Sequence, residues 1–460
     1  MINIFELQNI AAADLLRIKA RARNEIDNVR DQVEKIIALV RSDGDAALIS
    51  FTKQWDDADF DYSRLRVTDQ DIQNAYRETS PEVIDKIKEQ ITLSKKFHNL
   101  QKKHISNWQE EMEDGIIVGE RWTPIANAGL YVPGGKNPFP TVQQILAVAA
   151  KEAGCKRIIS CISPKGKNNE VLIAANECGL SEIYRLSGAQ AIAAMAYGTE
   201  TIPAVDIIAG PGSPYVTAAK IICQAKVAID MPAGPSEAIV LADAWTPKGL
   251  DLKTKAKYCA ADILARAEHG PDSAGVMVTD SRELAELTKN EIEKQFLGLS
   301  RKDYIATALN QYCAIIVTEN MAEAISFTND YAPEHLEILT GDPEDTLAQI
   351  QHAGSVFLGF FNPVATGDYA SGVNHTLPTG GWARSTSAVG VWTFMKRVQY
   401  SSVSKNALRR LTPIVQTIST VEGLDAHRRS VEIRFEPLPA SANAYNKSAH
   451  QVVQFLERDE

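Results

Sequence analysis

The chain has 460 residues, 45% apolar and 23% charged, with a formal net charge of −10. That length is enough for two or more hydrophobic cores, and the balance is that of an ordinary soluble globular protein. The acidic excess gives no reason to expect a nucleic-acid backbone as partner, and no apolar run is long and charge-free enough to expect a membrane.

The opening stretch MINIFELQNIAAADLL lacks a basic region and an unbroken apolar core, so it does not read as a signal peptide. Six cysteines, Cys155, Cys161, Cys178, Cys223, Cys259 and Cys313, show no CxxC or zinc-finger spacing. They read as buried small apolar residues in a reducing cytoplasm.

The first 110 residues are charged and helix-rich, with helices expected near Ala11–Val40, broken internally, and over Glu82–His98. QWDDADFDYSRLRV, from Gln54, is a polar connection, and GIIVGERW alternates as a hairpin or edge strand does. From Gly129 the rhythm changes. RIISCI, EIYRL and DIIAG read as strands, and TVQQILAVAAKEAG, NEVLIAANECG, GAQAIAAMAYG and SPYVTAAKIICQA as the helices between them. A second passage begins at EAIVLAD (Glu237). Its strands GVMVTD, CAIIVTE, HLEILT and SVFLGF alternate with helices such as LKTKAKYCAADILARA and DTLAQIQHAG. Strand runs alternating with amphipathic helices predict parallel sheets covered on both faces, hence an α/β fold with two successive units. A Gly- and Thr-rich loop, Gly367–Ser387, precedes a mostly helical tail, and the last twenty residues read as peripheral.

There are only eight histidines. His98, His104 and His450 stand in polar sequence and read as solvated, and His352 reads as a cap or packing residue. His269, His335, His375 and His427 sit beside turn-forming or acidic residues. His269, Asp368 and His427 offer two imidazoles and a carboxylate, a plausible zinc set whose wide spacing makes it weak on its own. The adjacent Glu334 and His335 would put two proton-transfer groups at the mouth of a strand, or only a turn and a surface ion pair. Asp368 and His375 bracket a loop that could close on a polar ligand or satisfy its own backbone. No GxGxxG fingerprint appears, yet PGG at Pro133–Gly135 and GPGS at Gly210–Ser213 let backbone approach phosphate or ribose closely.

Several long motifs then occur in one order. They are GLYVPGG (129–135), GAQAIAAMAYGTE (188–200), GPGSPYV (210–216), DMPAGPSE (230–237), AEHGPDS (267–273), APEHL (332–336), AGSVFLG (353–359), GDYASGVNHTLPT (367–379) and EGLDAH (422–427). Over nearly its whole length the chain resembles the histidinol dehydrogenases.

The resemblance implies two incomplete Rossmann-like domains with small helical terminal domains. An N-terminal helical dimerisation segment would cover 1–24. The first domain would span 25–129 and 237–366, with the second, 130–236, inserted in it. An active-site loop region would occupy 367–388 and a C-terminal helical dimerisation tail 389–460. It implies a zinc-containing, interlocked homodimer that oxidises L-histidinol twice with NAD, through histidinaldehyde to histidine. Glu334 would activate water at the aldehyde stage and His335 would take the alcohol proton. His269, Asp368 and His427 align with the ligands of one zinc ion per active site. These three, with Thr141, Ser236, His375 and Glu422, would contact substrate, and Tyr131, Gln190 and Ser213 would contact the cofactor. Glu422 and His427 would serve the partner's site.

The pattern departs at three positions. Thr141 stands where serine is more usual, Ser213 where asparagine is usual, and Arg266 where the family has glutamine as a zinc ligand. Arginine has five donors, a permanent charge and no lone pair for a metal. It could turn away, pair with Glu268 or Asp262, or bind an anionic substrate group through two parallel hydrogen bonds. The last option implies a related NAD-dependent dehydrogenase for an anionic alcohol, such as a carboxylated or sulfonated diol. A non-catalytic ligand-binding homologue is the third reading.

Overall fold

The computed structural model describes residues 2–20, 25–134, 137–232 and 234–437. Gly135 of the PGG motif, Ala233 of DMPAGPSE, His450 and the C-terminal end lie outside them. The chain opens not on a helix but on a strand, β1 (Asn3–Glu6), whose apolar residues pair in parallel with a later strand. Helices α1 (Ala12–Ala20), α2 (Glu25–Asp43), α3 (Asp45–Trp55), α4 (Asp69–Glu78) and α5 (Pro81–Lys103) follow. Two of their starts carry clear signals. Thr68 and Asp71 form a reciprocal capping box at α4, and Ser80 caps α5 ahead of Pro81.

Strands β2 (Trp108–Glu113) and β3 (Ile116–Pro124) form the hairpin read from GIIVGERW. The first α/β passage then runs β4 (Asn127–Val132), α6 (Pro140–Ala153), β5 (Arg157–Ile162), α7 (Asn169–Glu177), β6 (Glu182–Arg185), α8 (Gly188–Tyr197), β7 (Ile207–Ala209), α9 (Pro214–Cys223) and β8 (Ala228–Ile229). The second runs β9 (Glu237–Ala242), α10 (Leu252–Ala267), β10 (Ala274–Thr279), α11 (Arg282–Phe296), α12 (Lys302–Gln311), β11 (Ala314–Val317), α13 (Met321–Tyr331), β12 (His335–Leu339), α14 (Pro343–Ala348), β13 (Ser355–Leu358) and α15 (Val364–Tyr369). The helix expected over DTLAQIQHAG closes early, at Ala348. Strand β14 (Met395–Val403) and helices α16 (Lys405–Val421) and α17 (Asp425–Glu432) complete the described chain.

The two passages form two parallel sheets, ordered β6-β5-β4-β7-β8 and β1-β11-β10-β9-β12-β13. Both are buried on both faces, which is why their strands are continuous apolar runs rather than alternating ones. On the first sheet, one face is covered by α5, α6 and α7, through Ile87, Ile91, Ile145 and Ile173 among others. The other is covered by α2, α3, α8 and α9, through Val33, Ile36, Leu48, Ile192 and Val216. The second sheet is covered by α10, α11 and α12 on one face and by α13 with α1 on the other.

The chain divides into two units. The larger holds both parallel sheets. The smaller comprises Ser106–Trp122 and the chain from Arg397, and contains the β2–β3 hairpin, most of β14, α16 and α17. No helix among the described residues is long and apolar enough to cross a membrane.

Candidate active site

A cavity of about 200 Å³ lies where loops at the carboxyl ends of β4 and β7 meet loops at the amino ends of β9 and β12. Pro133 and Pro211 come from the first sheet, and Ser236, Glu334 and His335 from the second. Thr141 enters from the first turn of α6, Arg266 and His269 from the end of α10, and Asp368 from α15; His375 follows on the loop. Eight of the sequence-derived site residues, Thr141, Ser236, Arg266, His269, Glu334, His335, Asp368 and His375, therefore share one cavity.

Glu334 and His335 are delivered by a sharp exit from α13. Ala332 caps that helix in the left-handed region at φ 52°, a conformation costly for a residue with a Cβ. One carboxylate oxygen of Glu334 accepts from Ser236 Oγ at 2.9 Å and from the Glu237 N–H at 2.8 Å. The backbone N–H of Glu334 donates to Glu237 Oε1, which also accepts from the N–H of Gly380. Glu237 thus holds the Glu334 backbone to the following loop. It closes the DMPAGPSE motif, but nothing in its sequence setting marks it as a site buttress.

His335 lies between two carboxylates. Its Nδ1 is 3.4 Å from Glu334 Oε2 and 3.2 Å from the Glu237 carbonyl, and its Nε2 is 3.5 Å from Asp368 Oδ1. The last distance suits an ion pair better than a strong hydrogen bond. Burial and then Arg266 disfavour its cationic form, but Glu334 and Asp368 outweigh them and the pKa is raised. For Glu334, burial pushes the pKa up. The His335 charge and hydrogen bond, Arg266 and the Glu237 N–H reverse that, and it ends below the usual value.

Arg266 does not turn away, and its ion pair is not to Glu268 or Asp262. The side chain is 4% exposed, donates to Ser236 Oγ and stands 3.5 Å from Asp368 Oδ2. Its Nε is buried without a partner. Burial raises the Asp368 pKa, but His335 and then Arg266 and His375 bring it well below the ordinary carboxylate value. His269 keeps part of its surface open to solvent at the cavity mouth. The surrounding protein and then the Arg266 charge lower its pKa to about 4. His375 Nε2 is buried with no partner, and burial keeps the ring neutral. That orphaned nitrogen, on a cavity-lining residue, suits a polar group of a ligand.

Outside this cavity a broader cleft shares Phe139, Thr141, His269 and Tyr369 with it and adds Lys86, Glu268 and Arg301. Phe139 lies outside the quoted motifs, and Tyr369 and Thr379 fall within GDYASGVNHTLPT without standing out by residue type. Thr379 Oγ1 accepts the N–H of Gly234 and ties the loop to the turn before β9.

The cofactor candidates all come from the first sheet and lie outside the cavity lining. In the first sheet β5 and β6 lie on one side of β4, and β7 and β8 on the other. The order reverses between β4 and β7, the crevice where open parallel sheets bind ligands. Tyr131 is the next-to-last residue of β4, Gln190 lies in the first turn of α8 and Ser213 stands at the N-cap position of α9, all at carboxyl ends of strands. Tyr131 is buried and accepts the N–H of Gly188. Gly134 passes so close to Ser163 that a Cβ there would lie 1.8 Å from its Cβ, so only glycine lets this loop pack against β5's exit. These residues fit a dinucleotide.

Zinc fares differently. Among the described residues no group of three His, Cys, Asp or Glu side chains is arranged to hold a metal. His269 and Asp368 meet at the cavity, but the third expected ligand, His427, and the expected substrate contact Glu422 belong to the smaller unit, where both are exposed. The Arg266 guanidinium, which has no lone pair, lies against Asp368. Within one copy, the described donor set does not fit a divalent metal. His98, which reads as solvated, is instead fully buried: its Nδ1 meets Ser94 O at 2.8 Å, and its Nε2 is 3.5 Å from Asn374 of the active-site loop. It faces inward from an otherwise charged helix.

A family model for histidinol dehydrogenase matches residues 19–435. The histidinol dehydrogenases of Methanothermobacter thermautotrophicus and Halalkalibacterium halodurans are 41% and 42% identical over 434 and 427 residues. These matches cover 93% and 92% of this chain and 99% and 98% of theirs. The crystal structure of histidinol dehydrogenase from Elizabethkingia anophelis aligns with a TM-score of 0.87 at 36% identity, over 94% of this chain and 98% of that one. A likeness that runs through both sheets and every element lining the cavity places this chain in the histidinol dehydrogenase family.

Proposed function

We propose that the chain oxidises L-histidinol to L-histidine through histidinaldehyde, with NAD as hydride acceptor, as the final step of histidine biosynthesis in the cytoplasm. The observation that carries this reading is the Glu334–His335 pair, buried beside Ser236 in a cavity that opens toward the β4–β7 crevice. One alcohol, two NAD and one water give one carboxylate, two NADH and three protons. NAD bound in the crevice supplies the hydride acceptor for both oxidations.

His335 takes the alcohol proton, and Glu334 with Asp368 stabilises the imidazolium that results. Glu334, already ionised, draws a proton from the water that adds to the aldehyde. Ser236, Thr141 and the free Nε2 of His375 orient the substrate, and the wall formed by Pro133, Val142 and Leu377 limits water. Tyr131, Gln190 and Ser213 hold the dinucleotide. No step passes through a metal, because Arg266 already supplies the positive charge beside Asp368.

The same reading includes a homodimer in which Glu422 and His427 of one copy serve the other. In support, Ile414, Ile418 and Val421 of α16 form a stripe at helical spacing and are 60%, 52% and 80% exposed, an apolar face that suits a second copy.

Arg266 favours one alternative, an alcohol carrying a carboxylate, sulfonate or phosphate, whose anion would meet the guanidinium and its unpartnered Nε. One assay separates the two. NADH is followed with histidinol and with a panel of anionic alcohols, with and without added zinc. Two NADH per histidinol supports the first reading. Turnover of an anionic alcohol alone supports the second, and no turnover of either refutes both.

A further inference from the structure

Gly210 stands at the carboxyl end of β7, on the lip of the β4–β7 crevice, with φ 135°. A Cβ there would lie 2.0 Å from the Tyr131 carbonyl oxygen, so only glycine lets the turn pass β4 at this height. Both backbone polar groups of this residue are held by one buried ion pair. Its N–H donates to Asp230 Oδ2 at 2.8 Å, and its carbonyl accepts from Lys220 Nζ at 3.0 Å. Lys220 and Asp230 contact each other directly, with side chains 2% and 0% exposed.

The two charges come from different elements, Lys220 from within α9 and Asp230 from the residue after β8. They connect the turn to the helix it starts and to the edge strand beside it. Replacing a buried pair of this kind by apolar side chains is often neutral or stabilising, so folding alone is a weak reason for it. Its specific yield is a fixed peptide at Gly210, immediately before Pro211, Gly212 and the α9 cap Ser213. Gly212 in turn packs where a Cβ would lie 2.4 Å from Val216 Cγ1, so the turn is pinned at both ends.

We propose that Lys220 and Asp230 are positioning residues for the dinucleotide: their buried pair holds the Gly210–Ser213 turn in the conformation the cofactor meets. Neither side chain reaches the ligand; they act through the Gly210 peptide. The inference rests on the NAD reading above.

The test is a calorimetric titration of the full-length protein with NAD, alongside steady-state kinetics and thermal unfolding. The variants are Asp230→Asn, which keeps the shape, and the double Lys220→Met with Asp230→Leu, which removes both charges together. The expected result is a folded double variant with a cooperative transition whose NAD dissociation constant rises about tenfold, the scale of one lost hydrogen-bonded anchor. KM for NAD should rise with it, with kcat and KM for the alcohol changing far less. A folded double variant that binds NAD as tightly as the wild type overturns the inference. So does a double variant that loses kcat while its NAD affinity is unchanged. Should the double variant not fold, Asp230→Asn decides by the same titration. If the wild type takes up no NAD, the cofactor reading falls and this inference with it; wild-type binding with unaffected variants removes the inference alone.

Discussion

Arg266 and Asp368 form an ion pair inside the cavity, Nη2 to Oδ2 3.5 Å, with side chains 4% and 16% exposed. The charge of Arg266 therefore bears on four other groups there. It lowers the pKa of His269, opposes the imidazolium of His335 and helps hold Glu334 and Asp368 ionised.

The first prediction concerns zinc. At an effective dielectric of about 20, two unit charges about 4 Å apart interact by roughly 4 kcal/mol, so a dication opposite a guanidinium is opposed by roughly 8 kcal/mol. Complete zinc sites reach about 10–16 kcal/mol, and the Arg266 charge would cancel much of that gain. After dialysis against zinc and then buffer, the wild type should retain well under one equivalent. Arg266→Gln removes the charge and offers an amide oxygen, and should gain metal. Equal, stoichiometric zinc in both proteins, measured by elemental analysis, would show that Arg266 does not govern the site.

Glu334→Gln tests the water-activating role. Glutamine keeps an oxygen to accept from Ser236 and the Glu237 N–H, so the fold should be nearly undisturbed. Without the base, oxidation of histidinaldehyde supplied as substrate should slow about 10²–10⁴-fold, while oxidation of the alcohol is less affected. Separate assays of the two half-reactions check this, and equal losses in both would assign Glu334 to binding instead.

Much of this architecture is legible in residue periodicity. Runs such as AIVLA (238–242) and GVMV (275–278) are apolar at every position because both faces of their sheet are covered, and the helices between them carry the complementary stripe. Strand order is not written that way. The helical period of α2 and α5 gives each an inward face but does not name the sheet it covers, and both lie on the first. His98 is misread for the same reason: in KKFHNLQKK the charge count hides the one inward direction. At the site, Glu334, His335 and Asp368 stand out by type and motif. The contact that reshapes the site, Arg266 to Asp368, joins residues far apart in sequence and follows only from folding α15 onto α10. Glu237 is missed because its work is done on backbone N–H groups, which no side-chain pattern displays.

Beneath α10 lies a second acidic pair that the reaction does not use. Glu337 is two residues along β12 from His335 and so on the same face, and is almost fully buried near Asp262 of α10. Burial, and for Glu337 the neighbouring Asp262 as well, raises both pKa values, that of Asp262 to about 6 and that of Glu337 well above the ordinary value. A folded-state pKa above the unfolded one means that the folded protein binds more protons. Stability is then fullest below the unfolded value and is lost as pH rises through the folded one. The melting temperature should therefore fall as pH rises from the ordinary carboxylate range through about 6 and beyond, and Asp262→Asn should flatten that fall. Parallel curves for wild type and variant, recorded by scanning calorimetry, would show that the pair shares no proton.

The last prediction turns on one hydrogen atom of space. Gly367 precedes Asp368 in α15, and a Cβ on it would lie 2.4 Å from Cε1 of Phe357, a buried ring stacked on His335 at 6.1 Å and 21°. Gly367→Ala must push either the ring or the helix. Pushing the ring disturbs the packing of His335, and pushing the helix lengthens the Asp368 contacts to His335 and Arg266. Overpacking of this kind costs about 1–3 kcal/mol, so the variant should melt lower while remaining folded, and kcat should fall more than KM for NAD rises. Adding Phe357→Leu makes room for the new methyl group. If crowding is the cause, the double variant should recover part of the lost kcat. If Gly367→Ala alone keeps wild-type kcat and melting temperature, the Gly367–Phe357 approach does not govern the placement of Asp368.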